Sequence, residues 1–319
     1  MSVTPYAIHS RQFVFVWLFA WLLLTGQGIA QDQAAFAALK SGDAITIVEG
    51  VRPVLTYQKA VRAKEGRWPR NHYIHPLYDL DGNSITEDFP VDHGHHRGIF
   101  WTWHQVVIDG KRIGDAWLCK DFQWDVRRFE ATRQHRFATL TTEVDWKSPQ
   151  YIDDQGQPIA FVREKAKIVI HAAQPNFRCV DFDLHIKAII KGVEIGGSAD
   201  SKGYGGFSPR IRLEKDFRFT AAGGSIEPTK NAIDAGPWVN IANDRTGFAM
   251  MSHPQNPEPK HSWILRSRDS MQNAAYPGRN PIALDPKAPW HLRYRIVIHR
   301  GDLSAESLAK LYEDYATDQ

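Results

Sequence analysis

Over most of this chain, hydrophobic and polar positions alternate with a period of two, the pattern of strands buried on one face. In residues 135–146, Ala138, Leu140, Val144 and Trp146 fall on one side, and Thr139, Thr141, Glu143 and Asp145 on the other. Residues 160–172 repeat the alternation with Val162, Ala166, Ile168 and Ile170 inward, after a turn at residues 153–156. In residues 177–190, the apolar face of Val180, Phe182, Leu184, Ile186, Ala188 and Ile190 opposes a row of ionisable side chains, Asp181, Asp183 and His185. Residues 43–49 and 52–58 read as an opening hairpin, and residues 98–108 as an aromatic strand ending at the turn Asp109-Gly110. Residues 248–252 and 290–299 complete the strands, while prolines make ordered loops of residues 253–259 and 276–281. Only at the C terminus does the period become helical. There Ser304 caps a helix to Ala316, Leu303 and Leu308 form a staple, and Leu308, Leu311, Tyr312 and Tyr315 form the stripe. The expected fold is all-β: a large antiparallel β-sandwich with a short C-terminal helix.

The first 30 residues read differently. Arg11 precedes a run of twelve apolar residues, 13–24, and Gly28 and Ala30 place small residues where a signal peptidase reads. Residues 1–30 are therefore expected to be a signal peptide, and residues 31–319 a single domain exported to the periplasm or the medium, with no stable membrane insertion after cleavage. Removing residues 1–30 takes away one Arg and no acid, so the charge falls from 39 − 36 = +3 to 38 − 36 = +2. That balance argues against a nucleic-acid partner. Export would permit a disulfide between Cys119 and Cys179, the chain's 2 cysteines.

Against this background one stretch concentrates chemistry. Residues 88–104 hold His93, His95, His96 and His104, four of the chain's 14 histidines, together with Asp88, Asp92, Arg97, Trp101 and Trp103. Imidazole serves as acid, base or metal ligand near neutral pH. His93, His95, His96, His104 and Asp92 are the expected catalytic groups. If residues 93–95 are extended, His93 and His95 share a face and His96 points away. A second unusual stretch is glycine-rich: in residues 202–210, Lys202, Tyr204 and Arg210 offer a donor, a stacking ring and an anion clamp. With Arg97, Trp101, Trp103, His253 and Asn256 they are the expected substrate-binding residues. Residues 92–104, residues 202–210 and the loop starting at His253 are expected to meet at one concave surface.

Four blocks carry a family resemblance: HPLYDLDGNSITEDFPVDHGHHRGIFWTW at residues 75–103, KGYGGFSPR at 202–210, HPQNP at 253–257 and LRYRIVIHRGDLS at 292–304. Together they resemble the bacterial family of unknown function labelled methane oxygenase PmoA. The resemblance implies a fold similar to galactose-mutarotase-like supersandwiches and a place in carbohydrate catabolism. The functional expectation is an exported carbohydrate-active enzyme with a His-rich acid/base site for a small-molecule or oligosaccharide substrate. A mutarotase, a lyase and a hydrolase all fit it, although no isolated Glu pair marks a glycosidase. The alternatives are a non-catalytic glycan-binding module and a metal-dependent oxygenase. No cofactor is expected; a divalent metal on His93, His95 and Asp181 is the alternative set.

Overall fold

A computed structural model describes residue 1 and residues 36–213, 216–268, 271–301 and 303–317. The expected signal peptide lies outside the described residues. From Phe36 onward the described residues fall in one compact unit.

Two nine-stranded sheets dominate the described residues, and every pairing in them is antiparallel. The first begins with the strands Phe36–Ser41, Ala44–Glu49 and Arg52–Gln58, continues through Tyr73–Leu77 and Ile99–Trp103, and then passes to Gly205–Pro209. The second is built on four long strands, Phe137–Ile152, Pro158–His171, Phe177–Ala188 and Trp290–Arg300. The alternation read from sequence selects their inner faces: Leu140, Val144, Ile168, Phe182, Leu184 and Ile186 are all buried in one core. Rings from the two sheets meet there. Phe182 lies 6.0 Å from Trp101 and 4.9 Å from Phe207, and Phe207 stacks on Tyr294 at 4.7 Å. This is a sandwich, closed by burial of one apolar face from each sheet.

The C-terminal helix Ala305–Thr317 packs on the outer face of the second sheet. Ser304 caps it by accepting from the Ser307 amide at 3.1 Å, and Leu303, Leu308, Leu311, Tyr312 and Tyr315 join Cys179, Met251 and Val297 in a separate cluster. Cys119 lies in the main core and Cys179 under the helix, and the contemplated disulfide between them is not formed.

One sequence expectation breaks at a consequential point. Residues 98–108 are not a single strand: Ile99–Trp103 belongs to the first sheet, whereas Gln105–Ile108 turns away into a four-stranded sheet and pairs with Lys111–Gly114 across Asp109-Gly110. His104 sits at the break.

The core also holds a carboxylate. Glu164 has the same parity as Val162 and Ala166 and so points inward, with no exposed surface. Its Oε1 accepts from Trp101 Nε1 and pairs with His72 Nε2, both at 2.6 Å, while Oε2 accepts from Trp146 Nε1 at 2.9 Å. Tyr57 donates to His72 Nδ1 at 2.8 Å if His72 gives its Nε2 proton to Glu164, which leaves every polar atom matched. Three donors from both sheets thus offset the burial of one charge.

Candidate functional site

The site grows from one strand pair. Gly205–Pro209 runs antiparallel to Ile99–Trp103, with Gly205 opposite Trp103 and Pro209 opposite Ile99, so stretches a hundred residues apart in sequence become neighbours. Trp101, Trp103 and Phe207 point into the core; Phe100 points the other way and packs with Tyr73, Trp117 and Met271, with Tyr204 against them. This second apolar cluster is the floor on which the histidines stand.

Residues 93–96 are a turn and not extended: the His96 amide donates to the His93 carbonyl at 2.9 Å. The turn overturns the expectation that His96 points away. Its ring stacks on His93 at 4.7 Å and meets His95 edge-on at 4.4 Å. Two glycines make the turn fit. A Cβ on Gly94 would lie 2.1 Å from the Trp68 ring, and one on Gly98, at φ +43°, would lie 1.9 Å from the Ile74 carbonyl oxygen.

Hydrogen bonds assign a protonation pattern to the imidazoles. Buried Arg210 donates through Nη2 to both oxygens of Asp92 at 2.8 and 2.9 Å and through Nε to Glu87 at 2.9 Å. Burial raises the Asp92 pKa, but hydrogen bonds from His93 and Arg210 outweigh it and hold the carboxyl below its usual range. Asp92 therefore accepts from His93 Nδ1 at 2.7 Å. Arg210 Nη1 also lies 3.1 Å from His96 Nδ1, and since a guanidinium only donates, His96 is neutral with its proton on Nε2. Burial, then the neighbouring His95 and Arg210, push the His96 pKa far down. His95 makes no hydrogen bond among the described residues; burial first, then Arg70, His93 and His104, lower its pKa to about 4. His104 completes the set. Its Nδ1 lies 3.0 Å from Asp115 Oδ2, which also accepts from Arg112 at 2.7 Å, and its ring stacks on Trp117 at 5.3 Å.

These groups surround a pocket of about 320 Å³ lined by His93, His95, His96 and His104 on one side and by Ser198, Asp200, Lys202, Tyr204 and Arg266 on the other, with Trp117 and Met271 between. Asp200 organises the second side by accepting from Ser198 Oγ at 2.6 Å and from the amide of Lys202 at 3.0 Å. Arg266 lies 5.4 Å over the Tyr204 ring.

The structure thus brings together His93, His95, His96, His104, Asp92, Lys202, Tyr204 and Arg210, the last from behind the wall. Other expected site residues lie elsewhere. Arg97 is fully buried, bonded to Asp88, to the Tyr73 hydroxyl and to the carbonyls of Arg62 and Trp68, and is not among the pocket-lining residues. Trp101 and Trp103 are core residues whose Nε1 groups donate to Glu164 and to the Tyr276 carbonyl. The loop at His253 does not reach the pocket: His253 packs on Tyr315 of the C-terminal helix at 5.1 Å, and Asn256 clamps the backbone of Arg293. Arg97, Trp101, Trp103 and Asn256 are satisfied internally by groups elsewhere in the chain, whereas His253 accepts at Nδ1 from the nearby Gln255 amide and its buried Nε2 has no hydrogen-bond partner among the described residues. Asp115, Trp117 and Arg266 were missed. The only local signal for Asp115 and Trp117 was their place just after the hairpin that begins at the His104 break.

The alternative metal set does not assemble, because Asp181 lies on the second sheet and is engaged by Arg295 at 2.6 Å and His171 at 2.7 Å. Among the described residues, the group whose ligand atoms lie within 4.8 Å of one another is Asp183, His185 and His291.

A family model matches residues 44–313, and the chain belongs to that family, the family of unknown function DUF6807. No curated protein sequence matches it. Among solved structures it is similar to a presumed mutarotase from Salmonella typhimurium, at 9% identity and a TM-score of 0.42, covering 83% of this chain and 94% of that one. It is also similar to a heparan sulfate lyase from Pedobacter heparinus, at 8% identity and a TM-score of 0.37, over 86% of this chain and 36% of that one. A presumed kojibiose phosphorylase from human microbiome aligns at 8% identity and a TM-score of 0.30, over 88% of this chain and 32% of that one. The chain spans about a third of the length of the latter two.

Proposed function

We propose that this chain is an exported carbohydrate-active enzyme that moves protons on a sugar or sugar derivative held in the histidine pocket. The observation that carries the reading is that two imidazoles at one opening are each paired with a carboxylate, His93 with Asp92 and His104 with Asp115. A carboxylate that accepts the Nδ1 proton leaves Nε2 as the atom that takes or gives a proton, the arrangement that acid–base catalysis uses near neutral pH. The pair supplies one acid and one base, enough for ring opening and closure at an anomeric centre or for elimination beside a carboxylate. His95 stays uncharged between them, so its presence does not place a fixed positive charge against either. Trp117 and Tyr204 offer ring faces to the C–H faces of a sugar, and Lys202 and Arg266 offer donors to its hydroxyl or carboxylate oxygens. The pocket volume lies at the small end of ligand sites, which favours a monosaccharide or the end of a chain over an internal segment.

The test is a screen of purified protein against mono- and oligosaccharides, oxidised sugars included, with anomer exchange followed by NMR and elimination by ultraviolet absorbance. Turnover that falls by about a hundredfold or more in His93→Gln and His104→Gln, with ligand affinity kept, supports the enzyme. Saturable sugar binding with no turnover, unchanged in both variants, makes the protein a glycan-binding module. No binding and no turnover across the screen removes the carbohydrate reading.

A further inference from the structure

The outer face of the long-strand sheet carries a cluster that the histidine pocket does not use. Antiparallel register sets His185 directly opposite His291, and Asp183, two residues before His185, projects from the same face. The alternating neighbours Phe182, Leu184, Ile186 and Leu292 are buried in the core, so the three polar side chains face outward. The C-terminal helix covers this face at Cys179, Val297 and Tyr315, yet the side chains of Asp183, His185 and His291 remain 32%, 50% and 40% exposed.

Their geometry is specific. The two imidazoles stack at 4.0 Å with an angle of 20° between planes, and both Nε2 atoms approach one oxygen of Asp183, at 3.0 Å from His185 and 2.9 Å from His291. We propose that Asp183, His185 and His291 bind a late first-row divalent cation such as Zn²⁺, Ni²⁺ or Cu²⁺, with the remaining coordination positions open to solvent. Ligand atoms at ~2.0–2.1 Å from a metal lie about 2.9 Å apart at right angles and about 3.4 Å apart at tetrahedral angles, so the nitrogen–oxygen separations of 3.0 and 2.9 Å match adjacent octahedral or square-planar positions and need only a small opening for tetrahedral Zn²⁺. Two nitrogen donors select these metals over Mg²⁺ and Ca²⁺, which take oxygen. Asp183 and His185 stand in mid-strand with paired strands on both sides, and His291, near the start of Trp290–Arg300, is held opposite His185, so the backbone is already ordered and binding asks only that a half-exposed ring turn to bring both Nε2 lone pairs to the ion. Two cations oppose the ion: Arg293 Nε lies 3.9 Å from the other Asp183 oxygen, and Lys165 faces His185 from the next strand. The site is therefore one of exchangeable occupancy. It lies on the sheet opposite the one that carries the histidine pocket and stands independently of the function proposed for that pocket.

The experiment is calorimetric titration of the full chain with ZnCl₂ and with NiCl₂, with MgCl₂ as the control. One equivalent of Zn²⁺ or Ni²⁺ and no Mg²⁺ is expected, weakened by more than about tenfold in the His185→Gln/His291→Gln double variant and unchanged in His93→Gln/His104→Gln. A wild-type readout avoids dependence on folding of the variants: Zn²⁺ should shift the imidazole nitrogen resonances of His185 and His291. Absence of stoichiometric binding, binding that survives the His185/His291 variant, or resonances of those two rings unmoved by Zn²⁺ would each overturn the assignment.

Discussion

Arg210 reaches across 114 residues of sequence to His96, its Nη1 lying 3.1 Å from the imidazole Nδ1, while the same guanidinium holds both oxygens of Asp92. A donor with no lone pair thereby decides the state of one imidazole directly and of a second, His93, through a carboxylate. The clamp is made by the pairing of Gly205–Pro209 with Ile99–Trp103, and the Arg210 amide itself donates to the Gly98 carbonyl at 2.6 Å.

Removal of that clamp should be felt at both imidazoles. Arg210→Met leaves Asp92 and Glu87 without their shared cation, and the expected cost is about 2–4 kcal/mol in urea unfolding. In nitrogen-detected NMR the wild-type His96 should show its proton on Nε2, and the variant should show a mixture of tautomers. A wild-type His96 protonated on Nδ1 would contradict the donor argument.

The buried carboxylate gives a second expectation. Glu164→Gln turns an amide NH₂ toward one of three N–H donors, most directly Trp146 Nε1, which now has only Oε2 to bond. The loss should be about 2–4 kcal/mol, and adding Trp146→Phe, which removes the opposed donor, should recover part of it. Additive losses in the two variants would show that the donors and the carboxylate are not coupled.

Stability should decline in mild acid. Burial chiefly, helped for His95 by Arg70 and for His253 by Arg293, lowers both pKa values to about 4. The folded pKa lies below the unfolded value of about 6.5, so the unfolded chain takes up protons first. The stability is complete above about pH 6.5 and is lost as pH falls toward 4, with each histidine contributing a slope of at most about 1.4 kcal/mol per pH unit. Asp92, Asp181 and Asp183, whose pKa values are lowered, add their loss only below the ordinary carboxylate range. Denaturant unfolding at pH 7, 5.5 and 4.5 measures the slope, which should be shallower in His95→Gln. A curve flat over that interval would refute it.

Export is tested in the cell. Protein from the native host should begin near Gln31, as read by N-terminal sequencing, given the apolar run after Arg11 and the small residues Gly28 and Ala30. Protein that retains Met1 in the membrane fraction would instead be anchored.

Local order in this protein is set by its own sequence. A period of two decides which side of each long strand is apolar, and that side is buried because no other arrangement removes it from water; the Ser304 cap and the apolar stripe after it define the helix in the same way. The density of histidine in residues 93–104 likewise marked the pocket. Even the inward direction of Glu164 follows from its parity with Val162 and Ala166, although nothing nearby names His72, Trp101 and Trp146 as its partners. Tertiary structure alone decided which of the two arginines, Arg97 and Arg210, reaches the histidine turn. Arg97 adjoins His96 in sequence yet is enclosed by Asp88, Tyr73 and Phe89, whereas Arg210, between Pro209 and Ile211, meets Asp92 and His96. It also decided the break at His104, the removal of His253 to the C-terminal helix, and the meeting of Asp183 and His185 with His291. Those outcomes depend on strand register between distant segments. Register is fixed by the fit of whole faces in the core and leaves no mark in the residues on either side of any one of these groups.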